Sequence, residues 1–276
     1  MSKKLLAIYG LKFNPFTPDI PIESLHTYDT LEHFCWRIEH AFIQEGGFAL
    51  ISGDPGTGKS AALRLLEAKL AYVRDVQVGV LAHSSTRISD FYRELGDIFG
   101  VPLSPYNLWN SFKHLRERWI SHMESTLMRP VLLIDEAQEM PAVVLNELRL
   151  LTSSQFDSRI LLSVVLAGDQ RLNDRLRRDE LVPLGSRIRV RLNTEYASVE
   201  QLQQSLQHIL SHAGNPNLMT AQLMNTLCEH SMGNYRVLYN LAGDLLAAAA
   251  QQGQAQLDEK LYFECFSVPK LPNKRK

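Results

Sequence analysis

Residues 48–60 read FALISGDPGTGKS, a short apolar run, a turn holding three glycines and a Lys-Ser pair, and the periodic segment AALRLLEAKL follows. Strand, glycine-rich turn and amphipathic helix in that order commit the chain to a βα unit, and a strand apolar on both faces is stable only when both are covered. Gly53-Asp54-Pro55-Gly56-Thr57-Gly58-Lys59-Ser60 matches G-x-x-x-x-G-K-[ST] in full. Glycine lets successive backbone N–H groups turn toward one anion, and the helix N-terminus adds a favourable field. In such a loop Lys59 is expected to reach the β- and γ-phosphates of ATP, and the Ser60 hydroxyl to ligate Mg²⁺.

Four more segments read as strands, at 76–82, 131–135, 161–167 and 188–192, and helical patterns separate most of them. The expected fold is therefore α/β: a parallel sheet sandwiched between helices over residues 1–195. From residue 196 to 266 the pattern is helical only. Ser198-x-x-Gln201 is a capping box, Gly214 a stop, and further helices fit 220–231, 234–251 and 258–266. Residues 267–276 carry four basic side chains and read as an exposed tail. The 276 residues, 45% hydrophobic, suffice for a full core, and the net charge of −1 means that a nucleic-acid partner must rest on a local patch. Cys35, Cys228 and Cys265 lack metal or redox spacing and fit core thiols of a reducing compartment. No run approaches the ~18 apolar residues of a membrane span, and the expected location is cytoplasmic.

Val131–Ile134 runs into Asp135-Glu136. A buried strand ending in two carboxylates places Asp135 at the Mg²⁺ water shell and Glu136 where it can polarise the attacking water, which argues for hydrolysis; the plainer alternative is an acidic end capping the sheet. Between Arg171 and Arg191 lie seven arginines against three acids. Phosphoryl transfer needs positive charge at the γ-phosphate, and Arg187, just before the last strand, is placed to project across an interface; a solubilising role is the alternative. Arg189 and Arg191 share a strand face that must be wet, paired or at an interface.

With these motifs, AGDQ after the fourth strand, SR before the fifth and GNYR opening a helix, nearly the whole chain resembles an AAA+ ATPase of the origin-recognition and helicase-loader side of that superfamily: a P-loop AAA+ parallel-sheet sandwich followed by a small all-helical lid. YGLKFNPF, DEAQ, LAGDQRL and LGSRIRVRL are similar to the ExeA-like and TnsC/TniB-like bacterial group, which includes regulators of DNA transposition. The resemblance implies Asp169 at the sensor-1 position, Arg187 as a finger acting in trans and Arg236 as the sensor-2 arginine. Asp169 departs from the amide or hydroxyl commoner there, and Gln170 is the alternative. Phe13-Asn14-Pro15-Phe16 resembles the segment that folds over the adenine, or is a hydrophobic staple.

Secretion-type members of the group carry a membrane span and a cell-wall-binding region after the ATPase, whereas this sequence ends after the lid; the expectation is a regulator of transposition. It implies a homo-oligomeric ring or filament that assembles on double-stranded DNA under ATP control and recruits a transposase. DNA contacts, sequence-independent and salt-sensitive, are expected at Thr86, Arg87, Lys113 and Arg116, with Arg118 beside them, unless that helix is an ordinary solvated one. The alternatives are an ATPase of a secretion or envelope-assembly system and a loader acting on protein.

Overall fold

The computed structural model describes residues 3–85, 87–104, 106–155 and 158–266. Its strands are β1 (Gly47–Gly53), β2 (Val76–Leu81), β3 (Arg129–Ile134), β4 (Ser153–Ser154), β5 (Arg159–Ile160), β6 (Ser163–Gly168) and β7 (Ile188–Thr194). Five of them form one parallel sheet in the order β2-β3-β6-β1-β7. Burial follows position: β1 and β6 are buried at every residue, and β7 at the edge alternates buried with exposed. That alternation leaves Arg189 and Arg191 exposed on one face of β7, where Arg189 takes the paired option of the sequence reading, donating to the Glu45 carbonyl (3.3 Å) with the Glu45 carboxylate at 3.9 Å.

The two-residue antiparallel ladder of β4 and β5 is unforeseen by periodicity. It occupies part of the approach to β6, so Leu161 and Leu162, expected as strand, hydrogen-bond instead to the carbonyl of Thr152 while their side chains enter the core. Upstream, the helix Asp29–Arg37 passes through a π turn at Ile38–Phe42 and ends before Gly46, whose φ of 65° suits glycine. A Cβ at Gly46 would lie 1.8 Å from Ile160 Cγ2. The turn into β1 thus requires glycine on both counts.

The chain divides into two compact units, one of Thr27–Glu195 and one of residues up to His26 together with those from Tyr196. This departs from the expected division, which assigned residues 1–26 to the α/β domain. The reason is apolar: Tyr9, Leu11, Phe16 and Ile20 are buried with Leu206, Leu210, Leu245 and other side chains of the helices Val199–Ala213 and Tyr235–Gln252. Polar pairing reinforces it, with the Lys12 amide donating to the Ala213 carbonyl (2.8 Å) and the Asn215 side chain to the Tyr9 carbonyl (2.8 Å). Of the two readings of Phe13–Phe16, the staple describes what is seen: Phe16 is buried in this helical core and Phe13 packs against it.

The helical unit otherwise has the expected ends. Ser198 and Gln201 form both halves of the capping box, and Gly214 stops the first helix with φ 101°. Helices Ala221–His230, Tyr235–Gln252 and Glu259–Phe266 follow. Burial pushes the Cys35 thiol up to about 11 and the Cys228 thiol up to about 12, so both stay protonated. Cys265 differs from the expectation of a core thiol, since it lies on the exposed face of the last helix. No helix among the described residues is long and apolar enough to cross a membrane.

Candidate active site

The phosphate loop spans the end of β1 and the start of the helix Lys59–Leu70. Gly56 (φ 86°) and Gly58 (φ 101°) adopt the left-handed backbone that turns N–H groups inward, and a Cβ at Gly58 would meet nothing within 4 Å, so its side is open to a ligand. Lys59 is only 7% exposed, and its ammonium donates to the carbonyls of Gly53 (2.9 Å) and Asp54 (3.0 Å). Thr57 Oγ1 bonds the Asp54 carbonyl (2.8 Å) and Thr194 Oγ1 (2.7 Å). Asp54, Pro55 and Ser60 are exposed at the rim.

Thr194 was missed by motif reading. It is the last inward residue of β7, and its hydroxyl also donates to the Ser52 carbonyl (3.3 Å), so it ties the loop to the neighbouring strand. A Cβ at Gly53 would fall 2.1 Å from Thr194 Oγ1, which explains the glycine that opens the loop.

At the end of β3, Asp135 Oδ1 accepts from the Glu136 amide (2.8 Å). Glu136 is exposed and takes a left-handed backbone, φ 51°, uncommon for a side chain of this kind. Gln138 Nε2 donates to Glu136 Oε2, the Gln138 Oε1 accepts from the Asp169 amide (3.2 Å), and the Gln138 carbonyl accepts from Arg175. Gln138 is another residue that motif reading left without a role beyond membership of DEAQ.

Asp169 caps the helix Gln170–Leu176 by accepting from the Arg171 amide (2.9 Å), and its Oδ2 accepts from Arg171 Nε (2.9 Å). Burial works against ionisation here, but the hydrogen bonds from Arg171 and the positive charges of Arg171 and Lys59 outweigh it, so the Asp169 carboxyl titrates below its ordinary value. Arg171 also pairs with Glu139 (2.8 Å). Gln170 is exposed and accepts from Asn173 (3.2 Å).

Arg187 precedes β7 at the edge opposite the phosphate loop. Phe48 pairs with Ile188 and Gly53 with Thr194 in the parallel register, and the Phe48 amide donates to the Arg187 carbonyl (3.3 Å). Five residues of strand, about 16 Å, separate that end from the loop. Its guanidinium donates to the Pro183 carbonyl. Arg236 is exposed in the first turn of the helix Tyr235–Gln252, in the helical unit.

The expected DNA residues fare unevenly. Thr86 lies outside the described residues. Arg87 is exposed at the start of the helix Ile88–Phe99, and Lys113 is exposed on the helix Leu108–Thr126 with Glu117 at 3.7 Å. Arg116 is tied into the fold: it donates to the Leu150 carbonyl (3.3 Å), and its guanidinium lies over the Phe112 ring, 4.8 Å from the centroid. Burial lowers its pKa, although Tyr92 opposes the shift. Trp109, 74% exposed, stacks on the other side of this row, its ring 5.9 Å from that of Phe112.

Mg²⁺ takes hard oxygen ligands, commonly one or two carboxylates with substrate phosphates and water. Ser60 and Asp135 are donors of that kind on the loop and on the end of β3, and no cluster of three or more His, Cys, Asp or Glu suited to a metal occurs among the described residues. The ion fits a site shared with the nucleotide, to which it would supply charge neutralisation.

Residues 43–176 match the family model described as "AAA domain". The general secretion pathway protein A of Aeromonas hydrophila is 28% identical over 253 residues, which cover 90% of this chain and 45% of that protein, so the chain spans about half the length of this curated relative. The Aeropyrum pernix ORC2 protein, solved as ADPNP–ADP complexes, superposes with a TM-score of 0.70 at 14% identity, over 91% of this chain and 70% of that one. The Aeropyrum pernix ORC1 protein in complex with DNA gives a TM-score of 0.68 at 18% identity, over 91% of this chain and 67% of that one. The fold is that of the P-loop AAA+ proteins, with the AAA domain match centred on the phosphate loop and the acidic end of β3.

Proposed function

We propose that this chain is an AAA+ ATPase that hydrolyses ATP to ADP and phosphate with Mg²⁺ and regulates DNA transposition: its ATP-bound subunits assemble on double-stranded DNA as a ring or filament, engage a transposase, and dissociate after hydrolysis. Lys59 and the loop amides hold the β- and γ-phosphates, with Ser60 and Asp135 at the magnesium ion. Glu136 accepts the proton of the attacking water as its oxygen bonds to the γ-phosphorus, and the bond to the ADP oxygen breaks. Asp169, at the sensor-1 position after β6, stays ionised at neutral pH with Arg171 on its carboxylate. Arg187 lies too far along β7 to serve its own nucleotide, and this supports a role at the γ-phosphate of a neighbouring subunit. Arg236 supplies the lid's positive charge.

The observation that carries the DNA reading is the exposure of Arg87, Lys113 and Trp109 in the same unit as the phosphate loop, on two helices that pack on each other. Phosphate contacts of this kind are sequence-independent and weaken steeply with salt. Binding to a duplex of about 50 base pairs, comparable with the size of a short filament, should require an ATP analogue and fall by roughly tenfold or more over a fourfold rise in salt. Arg87→Ala with Lys113→Ala should weaken it further. Unchanged DNA binding in the double variant removes this surface from the proposal.

The similarity to a secretion-pathway protein favours a second reading, an ATPase that acts in a secretion or envelope-assembly system. Absence of DNA binding in every nucleotide state, with ATPase activity intact, would select it.

A further inference from the structure

We propose that Gln138 is a positioning residue for hydrolysis, a bridge that orients the Glu136 carboxylate by tying it to the end of β6. This rests on the reading of Glu136 as the group that activates water. Gln138 is only 6% exposed. The orientation of its amide follows from its partners: the Asp169 backbone N–H can only donate, so Oε1 faces it and the NH₂ group faces Glu136. One carboxylate oxygen of Glu136 is thereby held while Oε1 stays available to a water. The Gln138 carbonyl is held in turn by Arg175, so both ends of the residue are fixed.

The sequence makes room for this bridge. A Cβ at Gly168, the last residue of β6, would fall 2.7 Å from Gln138 Oε1, so a side chain there would displace the amide. The left-handed backbone of Glu136 fits the same account, because an uncommon conformation persists when its surroundings hold it. The charged groups around the bridge are Asp135 and Glu139 on the same turn, Asp169 and Arg171 beyond β6, Arg175 on the following helix, and Lys59 across the site. Gln138 is the neutral link among them, donating to one carboxylate without adding a charge.

Two substitutions test it in the full-length protein. Gln138→Leu removes the donor and should lower kcat about 10- to 100-fold, the range for lost orienting partners, with the affinity for an ATP analogue changed less than about threefold, within the scatter of a surface change. In the Glu136→Gln background the same change should cost nothing further in single-turnover hydrolysis. Gln138→Glu keeps the length of the side chain and an acceptor for the Asp169 amide but sets carboxylate against carboxylate where the donor stood. Its kcat should fall at least as far as in Gln138→Leu, about 10-fold or more, with nucleotide affinity retained; this variant carries the test if the leucine variant does not fold. Parent kcat in Gln138→Leu or in Gln138→Glu, or a further loss in the Glu136→Gln background, overturns the inference. A Glu136→Gln protein that hydrolyses ATP at the parent rate instead overturns the reading beneath it.

Discussion

The phosphate loop and the acidic end of β3 lie on the same edge of the sheet but are built by opposite means. The loop largely holds itself: Lys59 on Gly53 and Asp54, Thr57 on Asp54, and two glycines with positive φ, with Thr194 as a distant anchor. The acidic end is held from afar, since Gln138, whose side chain grips Glu136, is itself held at its side chain by Asp169 and at its backbone carbonyl by Arg175, 31 and 37 residues further on. A loop supported by its own neighbours carries its chemistry in a contiguous motif. A carboxylate supported from across the sheet shares its chemistry with residues that no motif groups together.

Three substitutions sharpen or break this contrast. The largest effect is expected from Glu136→Gln, which removes the proposed proton acceptor and leaves the loop intact: kcat should fall about 100- to 10,000-fold while an ATP analogue binds as before, by steady-state rates and calorimetry. Loss of nucleotide binding in that variant would mean that the acidic end is part of the cradle and the contrast is false. Lys59→Ala attacks the loop alone. Nucleotide affinity should fall about 100-fold, equivalent to roughly 3 kcal/mol and near the upper range for a hydrogen bond to a charged group; binding within threefold of the parent would deny the loop its main cation.

The smallest effect belongs to Arg171→Ala. Its pairs with Asp169 and Glu139 are exposed on the arginine side and screened by solvent, so only a small downward shift of the urea midpoint is expected at pH 7. The sign of the pH dependence follows from Asp169, whose folded pKa lies below the ordinary value. Its contribution is present above the unfolded pKa and is lost as pH falls through the folded one. The gap between parent and variant should therefore close in acid, which urea midpoints measured from pH 7 downward would register. A gap that widens on acidification would contradict the assignment of Arg171 as the source of the shift.

Much of this was legible before any coordinates. The phosphate loop, the buried strand before Asp135 and the capping box at Ser198 are local patterns, and each sits where its pattern puts it. The arginine-rich stretch was legible only as a concentration of charge. Arg171 and Arg175 turn out to be occupied by Asp169, Glu139 and the Gln138 carbonyl, and Arg116, expected on a DNA surface, is engaged with Leu150 and Phe112. An arginine's partner depends on which strand ends and helix faces arrive beside it, and no periodicity reports that.

From the sequence by itself came the βα unit at residues 47–70, the glycine-rich loop inside it and the all-helical character of the chain after residue 195, because backbone turns, caps and apolar periods are properties of neighbouring residues. Tertiary structure alone decided that residues up to His26 join the helical unit, that Thr194 anchors the phosphate loop, that Arg187 stands a strand's length from it and that Gln138 bridges Glu136 to Asp169. Each of those facts is a contact between residues far apart in the chain, set by the order and register of the parallel strands and by the space that glycines such as Gly53 and Gly168 leave open.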